Sequence, residues 1–330
     1  MLVQLRPGAD SSQIRATLSR MGLWSKPLSD ASGAVKSIEI IAPSPQVSAE
    51  TLQQIDGVDT VLARPSAHPL LDAIDLSTQT LEGLPLDGST PLLFAGPCSI
   101  EDEARVHRIA KDVAKLGAHF LRGGAFKPRT SPYEFSGLGA QGLKWMRSAA
   151  DANGLKVVTE VLSEVNVDLV AAHADLLQIG SRNMQNFALL RAAGSMQKPI
   201  LLKRGRAATI NEWIMAGEHC MAAGAPIVVF CERGVRGFDS QMRNLLDLGS
   251  VAVLRHQYKL PVIVDPSHAT GRRDLVRPLS KAAFAAGACG VMVEYHPEPE
   301  FARSDAAQAI DLEQLSAIAA DNHISNTEHT

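Results

Sequence analysis

From residue 91 onward, short apolar runs alternate with longer Ala-rich stretches. The runs at 92–95, 119–122, 156–161, 176–179, 199–203, 226–231, 261–265 and 290–294 are near-continuous in Val, Ile and Leu rather than alternating. That pattern suits parallel strands covered on both faces. The stretches at 101–116, 139–153, 163–173, 186–194, 209–223, 240–259 and 273–286 read as helices. Gly117, Gly154, Gly224 and Gly287 stand just before the next strand, the expected helix stop. Eight βα units in series predict an α/β fold, a (β/α)8 TIM barrel. A doubly wound open sheet is the alternative, but no GxGxxG turn follows the first strand.

Residues 1–66 follow a different plan. Strands are expected at 1–5, 35–41 and 59–63, with a further strand inside 23–29, and helices at 11–21 and 48–55. The order βαββαβ predicts a small ferredoxin-like α+β domain ahead of the barrel. Residues 67–90 read as a linker and barrel entry, 91–320 as the catalytic barrel and 321–330 as a disordered tail.

Composition narrows the function classes. The 330 residues are 45% hydrophobic and 20% charged with a net charge of -3, a globular balance that gives no global pull toward nucleic acid or anionic membrane. Pro7 and Gly8 interrupt the N-terminus, so a signal peptide is not expected, and no run reaches the ~18 apolar residues of a membrane span. Cys98, Cys220, Cys231 and Cys289 are scattered without CxxC pairing, which fits reduced thiols and a cytoplasmic location.

In a barrel, chemistry sits at the C-terminal ends of the strands. Those positions hold Cys98 after strand one, Arg122, Lys127, Arg129 and Thr130 after strand two, and Glu160 at the end of strand three. Arg182 follows strand four, Lys203 ends strand five and Arg233 follows strand six. Asp265 and His268 come with strand seven, Glu294 ends strand eight and Asp305 lies in the loop beyond. Six of these, Arg122, Lys127, Arg129, Arg182, Lys203 and Arg233, are cations that a barrel brings to one mouth. Two unit charges 8 Å apart repel by roughly 2 kcal/mol at an effective dielectric of ~20. Such a set calls for strongly anionic ligands, phosphorylated substrates or one that also carries a carboxylate. Cys98, His268, Glu294 and Asp305 form a mixed soft and hard donor set suited to Zn, Fe, Mn or Co. Gly123 and Gly124 are expected to let the backbone approach a ligand.

The segments AGPCSIE, LRGGAFKPRTSPYEFSGLG, QIGSRN, LLKRG, CERGVRGF, DPSHATGRRDL and VEYHPEPE with SDAAQ resemble 3-deoxy-D-arabino-heptulosonate 7-phosphate (DAHP) synthase, in the variety with an N-terminal ferredoxin-like domain. The likeness runs densely through about residues 85–315. It implies a transferase that condenses phosphoenolpyruvate with erythrose 4-phosphate at the start of the shikimate pathway and aromatic amino acid biosynthesis. It also implies a divalent metal ion on Cys98, His268, Glu294 and Asp305, with Cys98, His268 and Lys127 at the catalytic centre. By the same resemblance Arg122, Lys127, Glu160, Arg182, Lys203 and Arg233 hold phosphoenolpyruvate. Arg129 and Thr130 hold the sugar phosphate, and Asp265 contacts the sugar's hydroxyl end. A homotetramer and feedback by an aromatic amino acid at residues 1–66 are further family expectations. The run after Gly205, Arg206-Ala207-Ala208, departs from the family pattern.

Two other readings share parts of this pattern. A 3-deoxy-D-manno-octulosonate 8-phosphate synthase, using arabinose 5-phosphate, resembles it in barrel and chemistry, but its loop reads KANRSS where this chain reads KPRTSP. A non-catalytic phosphoanion-binding barrel has no reason to keep so many self-repelling cations.

Overall fold

A computed structural model of the protein describes residues 1–30, 32–42, 47–62, 66–127, 133 and 135–324. The chain divides into two compact units, Met1–Pro69 and Leu70–Thr330.

In the first unit the elements run β1 (Leu2–Leu5), α1 (Ser11–Arg20), β2 (Trp24–Ser29), β3 (Val35–Ala42), α2 (Ala49–Gln53) and β4 (Val58–Leu62). The strands form one antiparallel sheet in the order β2-β3-β1-β4. This is the element order expected from the sequence. Asp10 caps α1 by accepting from the Ser12 and Gln13 amides, and Ser48 caps α2. Val3, Ile14, Leu18, Ile38, Leu52 and Val58 make its core.

The second unit opens with the last three residues of α3 (Pro69–Asp72) and the hairpin β5 (Thr80–Leu81) and β6 (Leu84–Pro85). Of residues 67–90, expected as linker and barrel entry, 70–90 belong to this unit. The Leu70 and Leu71 amides are anchored on the Glu218 carboxylate, both at 3.0 Å.

Eight parallel strands then close a barrel: β7 (Leu92–Gly96), β8 (Phe120–Arg122), β9 (Lys156–Val161), β10 (Leu176–Ile179), β11 (Ile200–Lys203), β12 (Val228–Glu232), β13 (Val262–Val264) and β14 (Gly290–Glu294). The helices are α4 (Glu103–Lys115), α5 (Gly139–Asp151), α6 (Val167–Ala171), α7 (Phe187–Gly194), α8 (Ile210–Ala222), α9 (Leu248–Ala252), α10 (Pro266–Thr270), α11 (Arg273–Ala285) and α12 (Leu312–Asp321).

Side chains alternate along each strand. Leu93, Leu121, Val157, Leu177, Leu202, Val228, Val262 and Val291 pack outward with the helices. Phe94, Phe120, Val158, Leu176, Leu201, Val229, Ile263 and Met292 fill the interior, where the Phe94 and Phe120 rings stack at 4.4 Å. Leu81 and Leu86 join that inner cluster from the entry hairpin and its flank. Two residues further along the strands the same inward parity reaches Arg122, Glu160, Gln178, Lys203, Asp265 and Glu294. The apolar floor and the charged layer above it are thus one alternation.

Two differences from the sequence reading have local causes. The helix expected over 240–259 starts only at Leu248, where Asp247 caps it. Before that point the Arg243 and Asn244 amides donate to the Thr270 and Ala269 carbonyls, so their hydrogen bonds go to the α10 turn instead of a helix. Residues 321–324, expected in the tail, are ordered: Asp321 pairs with Arg277, and Asn322 and Ile324 are buried. Residues 325–330 of that tail lie outside the described residues.

Candidate active site

The charged layer opens into a cavity of about 340 Å³ at the C-terminal ends of the strands. Among the described residues its walls carry seven cations, Arg122, Lys127, Arg182, Lys203, Arg206, Arg233 and Arg243, against two carboxylates, Glu160 and Asp305. Burial pushes the Arg233 guanidinium below its ordinary pKa, and the neighbouring Arg243 and Arg206 charges add to that against Asp265. A buried cation beside other cations favours an anionic ligand.

Four side chains gather on one side of this cavity. One ligand atom each from Cys98, His268, Glu294 and Asp305 lies within 4.8 Å of the others. Cys98 Sγ is 3.2 Å from Asp305 Oδ2, and His268 Nε2 is 3.2 Å from Glu294 Oε1. Burial first, then the Glu294 charge, pushes the Cys98 thiol up to about 12, against the pull of Lys127. A thiol and two carboxylates at this spacing repel as anions, so the set fits a bound cation, which would let the thiol ionise.

The groups behind this set fix its orientation. Asp265 is fully buried and accepts from His268 Nδ1 at 2.7 Å, the His268 amide at 2.9 Å and Lys203 Nζ at 2.5 Å. Burial works against its charge, but the adjoining His268 ring and Lys203 ammonium hold the carboxyl well below its ordinary range. Burial also pushes the His268 imidazole down, so the ring is neutral near pH 7. Its Nδ1–H is spent on Asp265, and Nε2 faces the cluster with a lone pair. Glu294 is held by Arg122 at 2.9 Å and Gln308 at 2.6 Å.

Lys127 Nζ donates to Cys98 Sγ at 2.9 Å and to the Cys98 carbonyl at 3.0 Å. Gly124 permits this reach, since a Cβ there would lie 2.7 Å from the Lys127 Cδ. The same holds for Gly180, whose Cβ would stand 1.9 Å from a Glu160 carboxylate oxygen. The first of the paired glycines, Gly123, packs against Ile100. Both Gly123 and Gly124 thus make room for neighbouring side chains, a role the sequence reading did not foresee.

The structure brings together Cys98, Arg122, Lys127, Glu160, Arg182, Lys203, Arg233, His268 and Asp305 at the cavity wall, with Glu294 directly beneath. Arg129 and Thr130 lie outside the described residues. Asp265 is absent from the cavity wall; it lies buried and accepts from His268 and Lys203. Arg206, Arg243 and Gln178 line the cavity and were not anticipated there. Gln178 follows strand parity and was legible from it, whereas Arg243 arrives through a loop. Arg204, next to Lys203, points the other way, to Glu232 at 3.0 Å, Asp247 at 2.9 Å and Ser250 at 3.0 Å.

No helix among the described residues is long and apolar enough to cross a membrane. Residues 74–327 match the DAHP synthetase I family. The chain is 42% identical over 322 residues to a phospho-2-dehydro-3-deoxyheptonate aldolase of Thermotoga maritima, spanning 95% of this chain and 94% of that protein. The crystal structure of a Thermotoga maritima DAHP synthase superposes with a TM-score of 0.75 at 40% identity, covering 97% of this chain and 95% of the other. A 2-dehydro-3-deoxyphosphooctonate aldolase of Acidithiobacillus ferrooxidans is 30% identical over 242 residues, 68% of this chain and 85% of that protein.

Proposed function

The chain belongs to the DAHP synthetase I family, and from that premise we propose how its residues divide the work. The reaction is the condensation of phosphoenolpyruvate with erythrose 4-phosphate and water. It yields 3-deoxy-D-arabino-heptulosonate 7-phosphate and inorganic phosphate. The octulosonate reading is less favoured, because its relatives match less of the chain and at lower identity.

The observation that carries the assignment is the joining of two sets in one mouth: cations in excess, and a thiol–imidazole–carboxylate cluster beside them. Cys98, His268, Glu294 and Asp305 would hold a divalent cation of the Mn, Fe, Co or Zn kind, which when bound would supply Lewis acidity toward a carbonyl oxygen. Arg122, Lys127, Arg182, Lys203 and Arg233 receive the phosphate and carboxylate of phosphoenolpyruvate. Arg129 and Thr130 receive the phosphate of erythrose 4-phosphate. Fixing both substrates against this wall converts their encounter into a step within one complex.

C3 of phosphoenolpyruvate forms the new bond to the aldehyde carbon, and the carbonyl electron pair moves to oxygen. Lys127, which lines the cavity beside Cys98, delivers a proton to that oxygen. Positive charge at C2 is met by water, whose proton Glu160 takes up. The new C2 hydroxyl then gives its proton to the departing phosphate as the C2–O bond to phosphate breaks, releasing inorganic phosphate and leaving the ketone.

The family reading extends to a cytoplasmic homotetramer, and to residues 1–66 as a ferredoxin-like regulatory domain for an aromatic amino acid. It is supported by similarity to the Thermotoga maritima protein over 95% of the chain. Inhibition by tyrosine or phenylalanine tests the regulatory role.

The activity test follows loss of phosphoenolpyruvate with erythrose 4-phosphate, with arabinose 5-phosphate, and with EDTA added to either. Turnover with the four-carbon sugar, lost in EDTA and restored by Mn, is the expected result. Turnover with the five-carbon sugar alone would overturn the substrate assignment and leave the metal assignment standing.

A further inference from the structure

Glu101 stands three residues beyond Cys98 and takes no part in the assignments above. Its side chain is only 3% exposed. One carboxylate oxygen, Oε2, is bound by Arg105 and faces His296 Nε2 at 3.8 Å. His296 is buried, and its Nδ1 accepts the Glu298 amide at 3.1 Å, which leaves the ring proton on Nε2. The other oxygen, Oε1, accepts the Arg303 amide at 2.7 Å.

Arg303 immediately precedes the two residues that meet Cys98. Ser304 Oγ lies 3.0 Å from Cys98 Sγ, and Asp305 Oδ2 lies 3.2 Å from it. Asp305 has φ +52°, a left-handed conformation that side chains rarely adopt, so its surroundings must hold it there. The remaining holds on Asp305 are Arg243 at 3.4 Å and a turn in which the Gln308 amide donates to its carbonyl at 3.2 Å. The Arg303 guanidinium sits 4.1 Å from the centre of the Phe135 ring, in the segment between β8 and α5 that also carries Lys127.

We propose that Glu101 is a positioning residue for Asp305. By accepting the Arg303 amide it ties the segment after β14 to the segment after β7, and so closes the Cys98–His268–Glu294–Asp305 cluster. This rests on reading that cluster as a metal site. What the tether needs is an acceptor oxygen at full glutamate length, not a negative charge. Glutamine keeps the reach and loses the charge; aspartate keeps the charge and loses the reach.

The test titrates metal-free full-length protein with Co²⁺, following thiolate-to-cobalt absorption, and measures Zn²⁺ affinity by chelator competition. Wild type is compared with Glu101→Gln, Glu101→Asp and Glu101→Ala. Loss of an outer support of a metal ligand weakens affinity roughly 10- to 100-fold. Glu101→Asp and Glu101→Ala are expected in that range, with Glu101→Gln within about fivefold of wild type by the same scale. The KM for phosphoenolpyruvate at saturating metal stays near the wild-type value in all three. If Glu101→Ala fails to fold, the Asp and Gln pair decides. Wild-type affinity in Glu101→Asp, or a larger loss in Glu101→Gln than in Glu101→Asp, would overturn the tether in favour of a charge role. Absence of Co²⁺ uptake by wild type would overturn the metal reading itself, and the tether with it.

Discussion

Replacing Asp265 by Asn tests the support beneath the site. The wild-type carboxylate is fully buried and satisfies three donors, Lys203 Nζ, His268 Nδ1 and the His268 amide. Asn offers one acceptor oxygen and places an NH2 against groups that are themselves donors. Removing one partner of a buried ion pair costs about 3–5 kcal/mol, because the other charge stays buried and unpaired. Losing the group that fixes a ligating imidazole weakens metal binding roughly 10- to 100-fold. The pH dependence has a definite sign. The Asp265 carboxyl is held below its unfolded value. Its contribution is present above about pH 4 and is lost as pH falls through the lower native value. Wild type should therefore lose stability on acidification below about pH 4 more steeply than Asp265→Asn. Chelator competition reads the metal affinity, thermal unfolding across pH reads the stability, and steady-state kinetics read both KM values. The KM for phosphoenolpyruvate should rise with the disturbed Lys203, and that for erythrose 4-phosphate should not. A variant with native metal affinity and native KM for phosphoenolpyruvate, but a raised KM for erythrose 4-phosphate, would show that Asp265 contacts the sugar.

Cys98→Ala should abolish metal-dependent turnover; near-normal activity in that variant would sink the metal assignment. Arg233→Gln should raise the KM for phosphoenolpyruvate by about tenfold or more, since a charged hydrogen bond is worth about 1.5–3 kcal/mol, and salt should inhibit the variant less than wild type. Arg204→Met should behave in the opposite way. It strands Glu232 and Asp247 and lowers stability by about 3–5 kcal/mol, while the KM for phosphoenolpyruvate stays near wild type. Lys127→Met should lower kcat by roughly 10²- to 10⁴-fold, the range for loss of a general acid, with far-UV circular dichroism unchanged.

The barrel was legible because its signal is local. A strand covered on both faces reads as an apolar run, and a helix that must stop reads as Ala-rich chain ending at Gly, without reference to anything distant. The strand-end charges were legible for the same reason: once the βα rhythm is counted, Arg122, Glu160, Lys203 and Glu294 fall at the strand ends by position alone. The same placement joined Cys98, His268, Glu294 and Asp305 into one candidate donor set, which the family motifs also imply.

Which way each charge is spent depended on tertiary structure. Lys203 and Arg204 are adjacent in the chain and equal in charge, yet strand alternation turns one into the cavity and the other toward Glu232 and Asp247. That Asp265 is buried against Lys203 and His268 was likewise settled by the fold. Arg243 reaches the cavity because the Arg243 and Asn244 amides bond to α10 instead of starting a helix. Glu101 meets the Arg303 amide across a separation of about 200 residues. The sequence by itself determined the repeating βα units and the chemical identity of the strand-end groups, because periodicity and residue type are properties of short stretches. Only the closed barrel decided which of those groups face the cavity and which hold one another, because an ion pair is settled by distance in space and by the parity of the strand that carries it.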